Sequence, residues 1–313
     1  MFPLVANVLF TWITLAKLFI DYPIKGYSGT QITQLVVTLL FTLTASIDAS
    51  HELIHRPQWG FKVLGFINMA VFQFTVYPIE HLYLHHKYVG TEKDPITSPK
   101  NQSLYMYTIK AFYSAHKFVF NYNIKYFAVC ILTNLFYVGL LFFFSFREYN
   151  DIEQACWKTA FFVGVGLGSF SFLEIVEYIE HYGLVYREDI DKKEVNEISS
   201  WNSEENILQN WIIFRFQRHS DHHMNAYKVF TTLELTDKMP RFPFPFMHGA
   251  LLALFTPLWY YIMNPFVDEV IEKKEVTKTH RTITKWVSEI LPLMIFVKAL
   301  YDACVVYTLR SVA

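Results

Sequence analysis

Apolar positions in this chain come in long runs, not in the short alternation of a soluble sheet or the single stripe of a surface helix. Four runs, 3–20, 31–49, 126–146 and 157–179, are near the ~17–25 residues needed to cross a bilayer. The segment 21–30 between the first two carries Pro23, Gly26 and Gly29 and reads as a turn. The link 147–156 is short and acidic. Three further apolar segments fit the pattern less well. Segment 61–79 lies between polar stretches, 246–263 contains Pro257, and 286–309 carries Glu289, Lys298 and Asp302. The last reads as an extra membrane or interfacial helix. The polar stretch 187–205 reads as a surface loop. The first run lacks a basic leader and a small-residue cleavage site, so it reads as a retained span. The expected fold is an all-α, multi-pass membrane helical bundle. It forms a single domain over 1–313, with two core transmembrane hairpins and interfacial helices.

Composition agrees. Hydrophobic residues make up 53% of the 313 positions and aromatic ones 18%, and the mean hydropathy is positive. A net charge of −1 implies no nucleic-acid partner. The three cysteines, Cys130, Cys156 and Cys304, form no CxxC pair, which removes a disulfide framework and thiolate metal sites. Cys130 and Cys304 fall in apolar runs and read as small core residues.

Histidines change the picture. Nine of the twelve stand in four places: His51 and His55; His81, His85 and His86; His181; and His219, His222 and His223. On an α-helix the spacing of the last set puts all three rings on nearly one face. Neutral imidazole is a common transition-metal ligand. Nine ligands exceed what one ion uses and suit two, so the reading is a dinuclear iron site. His116, His248 and His280 have no neighbours of their kind and read as ordinary histidines. The pattern His51-Glu52-Leu53-Ile54-His55 also fits a zinc-protease HExxH, but that reading leaves seven histidines without a role. Carboxylates near the boxes, Asp48, Glu52, Glu80, Glu174, Glu177, Glu180 and Asp221, are candidates to orient the rings and offset the metal charge. Glu174 and Glu177 lie inside an apolar span, where a carboxylate is costly and by default functional.

A shared site requires all four boxes on one side of the membrane. Segment 61–79 must then lie in the interface or re-enter without crossing. Charge agrees: Arg56, Lys62, Lys87, Lys93, Lys100, Lys110, Lys117, Lys125, Arg187, Lys192, Lys193, Arg215 and Arg218 fall on the histidine side. Only Lys25, Arg147 and Lys158 fall on the other. The positive-inside rule puts the site on the cytoplasmic or matrix face.

HELIHR at 51–56, EHxxxHH at 80–86, YIEHYGL at 178–184 and QRHSDHH at 217–223, with Ser200-Trp201-Asn202-Ser203, resemble the membrane alkane hydroxylase (alkane 1-monooxygenase) family. That family belongs to the histidine-rich membrane di-iron hydroxylase and desaturase superfamily. The resemblance spans about 45–265 and leaves 266–313 as a C-terminal extension. It implies that the nine histidines bind two irons and that O₂ is a cosubstrate. It also implies that the substrate is a long apolar chain, an alkane or a fatty-acyl group, hydroxylated at an unactivated C–H bond. Electrons would come from a rubredoxin, ferredoxin or cytochrome b5 type carrier. Fatty-acyl desaturation or lipid hydroxylation is the alternative activity, and a non-catalytic subunit of a larger membrane complex the alternative class. The chain departs from the family in having Glu177 where an Asn is usual and Leu84 where a Gly is usual. It also has room for only one pair of spans before the first box, where bacterial members carry two.

Overall fold

The computed structural model describes residues 1–21, 27–186, 195–203, 211 and 213–312. Among these, helices and loops form the fold, with one isolated bridge, Asn202 to Arg241. Four helices are long and apolar enough to cross a membrane: α1 (Phe2–Asp21), α2 (Gly29–Ile54), α6 (Ile124–Tyr149) and α7 (Ile152–His181). They match the four runs read from sequence and make the protein an integral multi-pass membrane protein. Three of the four starts are capped by side chains. Ser28 opens α2 with a reciprocal capping box to Gln31, and Asn123 and Asp151 cap α6 and α7 through their side chains. Helix α6 leaves Leu132, Leu135, Phe136 and Phe143 exposed. An apolar surface of that kind suits lipid. Of the charges in the sidedness argument, Lys25, Arg187, Lys192 and Lys193 lie outside the described residues.

The segment between the first two boxes does not cross. Helix α3 (Trp59–Asn68) gives way to a 3-10 turn, Met69–Phe72, and the chain reverses at Gln73 with φ 57°. Such non-helical backbone is tolerated at membrane depth only where protein satisfies its polar groups. Here Thr75 Oγ1 donates to the Cys130 carbonyl, Cys130 Sγ donates to the Thr75 carbonyl, and Asn134 donates to the Gln73 carbonyl. Two glycines let the loop seat. A Cβ on Gly65 would lie 3.0 Å from the Ser50 carbonyl, and one on Gly166 would lie 2.1 Å from that of Val71. Asn68 ties the loop's first arm to α2 by donating to Ser46 and Ser50, and it accepts from Trp12 of α1.

The loop returns to the histidine end in α4 (Tyr77–Glu80). This helix runs on through a π-helical stretch, His81–His85, into a last turn, His86–Tyr88. Helix α5 (Leu104–Tyr122) leads to α6. After α7 come the short α8 (His219–Met224), then α9 (Phe246–Ala253), α10 (Thr256–Glu272) and α11 (Lys278–Val312). The apolar segment expected at 246–263 is thus two helices, with Pro257 in the first turn of the second. The stretch 187–205 is not simply a surface loop, because Ser199, Ser200, Trp201 and Asn202 are buried. Residues 187–194 and 204–205 of it lie outside the described residues.

Candidate metal centre

All nine boxed histidines meet at one end of the bundle, in two adjoining groups. His51, His55, His81, His86 and His222 form one, and His85, His181, His219 and His223 the other. Within each group the facing ring nitrogens lie within 4.8 Å of one another. His116 and His280 bond instead to the Phe112 and Ile262 carbonyls, and neither they nor His248 belong to a group.

The elements explain the division. In α2, His51 and His55 are one turn apart and reach the same group. Plain α geometry would leave His86 well off the face shared by His81 and His85. The π stretch corrects this, because the His86 N–H bonds to the His81 carbonyl five residues back. His81 and His86 therefore enter the five-ring group, while His85 turns to the four-ring group. Helix α8 is split in the same way. His219 and His223 face one group and His222 the other, so the single face expected from sequence serves both. Two consecutive left-handed residues, Phe214 (φ 48°) and Arg215 (φ 56°), precede α8. Backbone of that kind is uncommon outside glycine and is held by its surroundings. Here Arg215 donates to the Thr231 and Leu233 carbonyls.

The nitrogens fit cations and not one another. His81 Nε2 lies 3.0 Å from His51 Nε2, 3.1 Å from His55 Nε2 and 3.0 Å from His86 Nε2. His222 Nε2 is 3.2 Å from His86 Nε2, and His85 Nε2 is 3.2 Å from His223 Nε2. One N–H satisfies one acceptor, so a single ring proton cannot serve three neighbours. Nitrogens about 2.1 Å from one ion and at right angles would lie about 3.0 Å apart. Burial, then the charges of neighbouring groups, holds His55, His81, His86, His219, His222 and His223 well below the ordinary imidazole pKa. A metal ligand needs that neutral form.

The four-ring group is braced from behind. His85 Nδ1 donates to Asp94 Oδ2 at 2.9 Å, and His181 Nδ1 donates to the Ser199 carbonyl at 2.9 Å. Burial disfavours charge on both His85 and Asp94, yet their mutual attraction wins: His85 is raised and Asp94 lowered. Asp94 was not singled out in the sequence. Its available signal was a turn, Asp94-Pro95-Ile96-Thr97, in which the carboxylate also accepts from the Ile96 and Thr97 amides and the Thr97 hydroxyl. Asn202 joins two boxes, bonding Ser220 of α8 and the Ser200 carbonyl. Trp201 and Ser200 bond the Glu180 carbonyl beside His181.

The seven carboxylates picked from sequence divide. Glu177 Oε2 lies 3.7 Å from His181 Nε2 and 3.9 Å from His85 Nε2, and Glu180 Oε2 lies 3.7 Å from His219 Nε2. Glu80 and Glu174 line a small pocket with Tyr77, His81 and Glu177. Asp48 lines an apolar cleft between α2 and α7. Glu52 and Asp221 are turned elsewhere. Glu52 pairs with Arg56 at 3.0 Å, and Asp221 accepts from Lys228, Asn225 and the Glu234 amide. That placement also takes from Glu52 the base role a zinc-protease reading would need.

A family model described as fatty acid desaturase matches residues 31–265. The chain is 32% identical over 237 residues to alkane 1-monooxygenase 2 of Alcanivorax borkumensis, covering 72% of this chain and 61% of that protein. It is 31% identical over 253 residues to alkane 1-monooxygenase 2 of Pseudomonas aeruginosa, covering 75% and 64%. A hydroxylase component of a Pseudomonas putida xylene/toluene monooxygenase is 24% identical over 234 residues. The chain spans about three fifths of the length of these curated relatives. With the histidine boxes in order and the match covering most of the helical bundle, the chain belongs to the fatty acid desaturase family.

Proposed function

We propose that this protein is a membrane di-iron monooxygenase that hydroxylates a long apolar chain, of alkane or fatty-acyl type, at an unactivated C–H bond. The observation that carries the reading is the convergence of nine imidazoles, eight buried and His86 partly so, into two groups, with ring nitrogens crowded to 3.0–3.1 Å around His81. His51, His55, His81, His86 and His222 would hold one iron, and His85, His181, His219 and His223 the other. The irons would supply O₂ reduction. One oxygen atom enters the C–H bond and the other leaves as water, with two electrons from a carrier and two protons.

The chain's own residues set the conditions for that chemistry. Asp94 keeps the His85 proton on Nδ1, so Nε2 stays free to bind. The Ser199 carbonyl does the same for His181. A narrow, mostly apolar cleft of about 30 Å³ is lined by Thr44, Ile47, Asp48, Leu173, Val176 and Phe216 and would take at most the tip of an apolar chain. Its apolar walls would exclude water from the reacting carbon. By the charge bias of the boundaries, the metal end would face the cytoplasm or matrix. A rubredoxin, ferredoxin or cytochrome b5 type protein would then deliver electrons from that side.

The name of the matched family keeps desaturation as a second reading of the same site. Reconstitution with ferrous iron, a reduced carrier, ¹⁸O₂ and a long-chain alkane or acyl substrate separates the two. A hydroxylated product carrying ¹⁸O is expected, from protein holding about two irons per chain. An alkene without label would move the assignment to desaturation. One zinc and no iron would sink both.

A further inference from the structure

We propose that the Glu177 carboxylate is itself a ligand of the four-ring ion, the fifth donor there beside His85, His181, His219 and His223. This rests on the two-ion reading above and adds a residue that the nine-histidine set does not contain.

The argument starts from which atoms carry protons. The Nδ1 of His85 gives its hydrogen to Asp94, and that of His181 gives its hydrogen to the Ser199 carbonyl, which can only accept. Each neutral ring therefore presents a bare lone pair at Nε2. Glu177 is 2% exposed. Tyr77 donates its hydroxyl to Oε1 at 3.3 Å, and Oε2 has no hydrogen-bond partner among the described residues. That free oxygen lies 3.7 Å from His181 Nε2 and 3.9 Å from His85 Nε2, beyond the reach of a hydrogen bond to either. His181 Nε2 and Glu177 Oε2 thus face each other as acceptors, with no donor to either among the described residues, while His85 Nε2 meets His223 Nε2 at 3.2 Å. Such an arrangement is costly unless a cation occupies the space between.

Tyr77 makes the aim specific. It holds one carboxylate oxygen away from the rings and stacks on His81 at a centroid distance of 4.9 Å, so the other oxygen is turned to the four-ring side. Glu180 is the competing carboxylate. Both its oxygens lack partners among the described residues; it lies 3.7 Å from His219, and Glu177, Glu180 and His219 bring their ligand atoms within 4.8 Å of one another. Glu177 faces two of the four rings. With Glu177 bound, both positions have five donors. One set is neutral and the other carries a negative charge. A hard carboxylate oxygen among nitrogens makes the two ions chemically unequal.

The test uses the full-length protein in detergent, loaded anaerobically with ⁵⁷Fe(II), and reads equilibrium dialysis and Mössbauer spectra. The unmodified protein should bind two ions and give two resolved doublets of equal area. In Glu177→Gln one ion should keep its affinity and its doublet. The other should weaken by at least about 10–100-fold, the loss that follows removal of even an outer partner of a ligand. Glu177→Asp, which keeps the charge, should lose less. If Glu177→Gln binds both ions as the unmodified protein does, or if Glu180→Gln shows the selective loss instead, the assignment is overturned. A single doublet from unmodified protein holding two ions overturns it without any variant. Fewer than two ions in the unmodified protein would count against the two-ion reading itself, whatever the variants show.

Discussion

The five-ring and four-ring groups use the same side chain and are held in different ways. In the five-ring group, His81 Nε2 sits between three other nitrogens at 3.0–3.1 Å. Among the described residues, the far nitrogens of His51, His55 and His222 have no hydrogen-bond partner and no carboxylate joins this group. The rings are positioned by packing: ring on ring, and His51 against Phe216. In the four-ring group, two rings are fixed from behind by Asp94 and Ser199, and two carboxylates approach from the front. The difference teaches that imidazole count alone does not define a metal position. One position depends on a central ring, the other on its hydrogen-bonded backing.

Removing the central ring should have the largest effect. His81→Ala deletes the nitrogen nearest to three others, so the five-ring ion should be lost and product formation should become undetectable. Iron analysis should fall from about two to about one per chain. Two irons retained would show that the group does not depend on its centre. Next is the backing of the other group. Asp94→Asn removes the charged acceptor that fixes His85, and the four-ring ion should weaken by about 10–100-fold while the five-ring ion keeps its affinity. Chelator competition followed ion by ion measures both, and an equal loss at the two positions would erase the contrast. A smaller effect is expected from Tyr77→Phe. The ring still packs on His81, but its hydrogen bond to Glu177 is gone. Roughly tenfold weaker binding at the four-ring position follows from about 1.5 kcal/mol for a bond to a charged group. The smallest effect belongs to Asp221→Asn. Its carboxylate serves Lys228 and two backbone or amide donors, so both ions should stay within about threefold of the unmodified affinity. A selective loss there would mean that the backing extends past Asp94 and Ser199.

Much of this was legible in the chain. A span leaves a run of apolar residues, and a ligand cluster leaves histidines at helical spacing, so α1, α2, α6, α7 and the nine rings could all be named. The non-crossing loop was legible only indirectly. Nothing in the composition of 61–79 marks it, and it followed from the need to bring His55 and His81 together. What escaped depends on geometry finer than a period. The π stretch that sends His81 and His86 one way and His85 the other has no residue signature. Asp94 stands eight residues beyond His86 in a turn, where sequence distance hides contact. Glu52 and Asp221 look like partners of the rings by adjacency, but helix geometry points them at Arg56 and Lys228 instead.

Helix α8 contributes rings to both groups, and it lies late in the chain. A growing polypeptide presents its residues in order, so the five-ring group is complete only at residue 222 and the four-ring group at residue 223. The loop that brings His81 beside His51 is also closed by later partners, Cys130 and Gly166. Chains that stop before residue 222 therefore lack a full set of rings at either position.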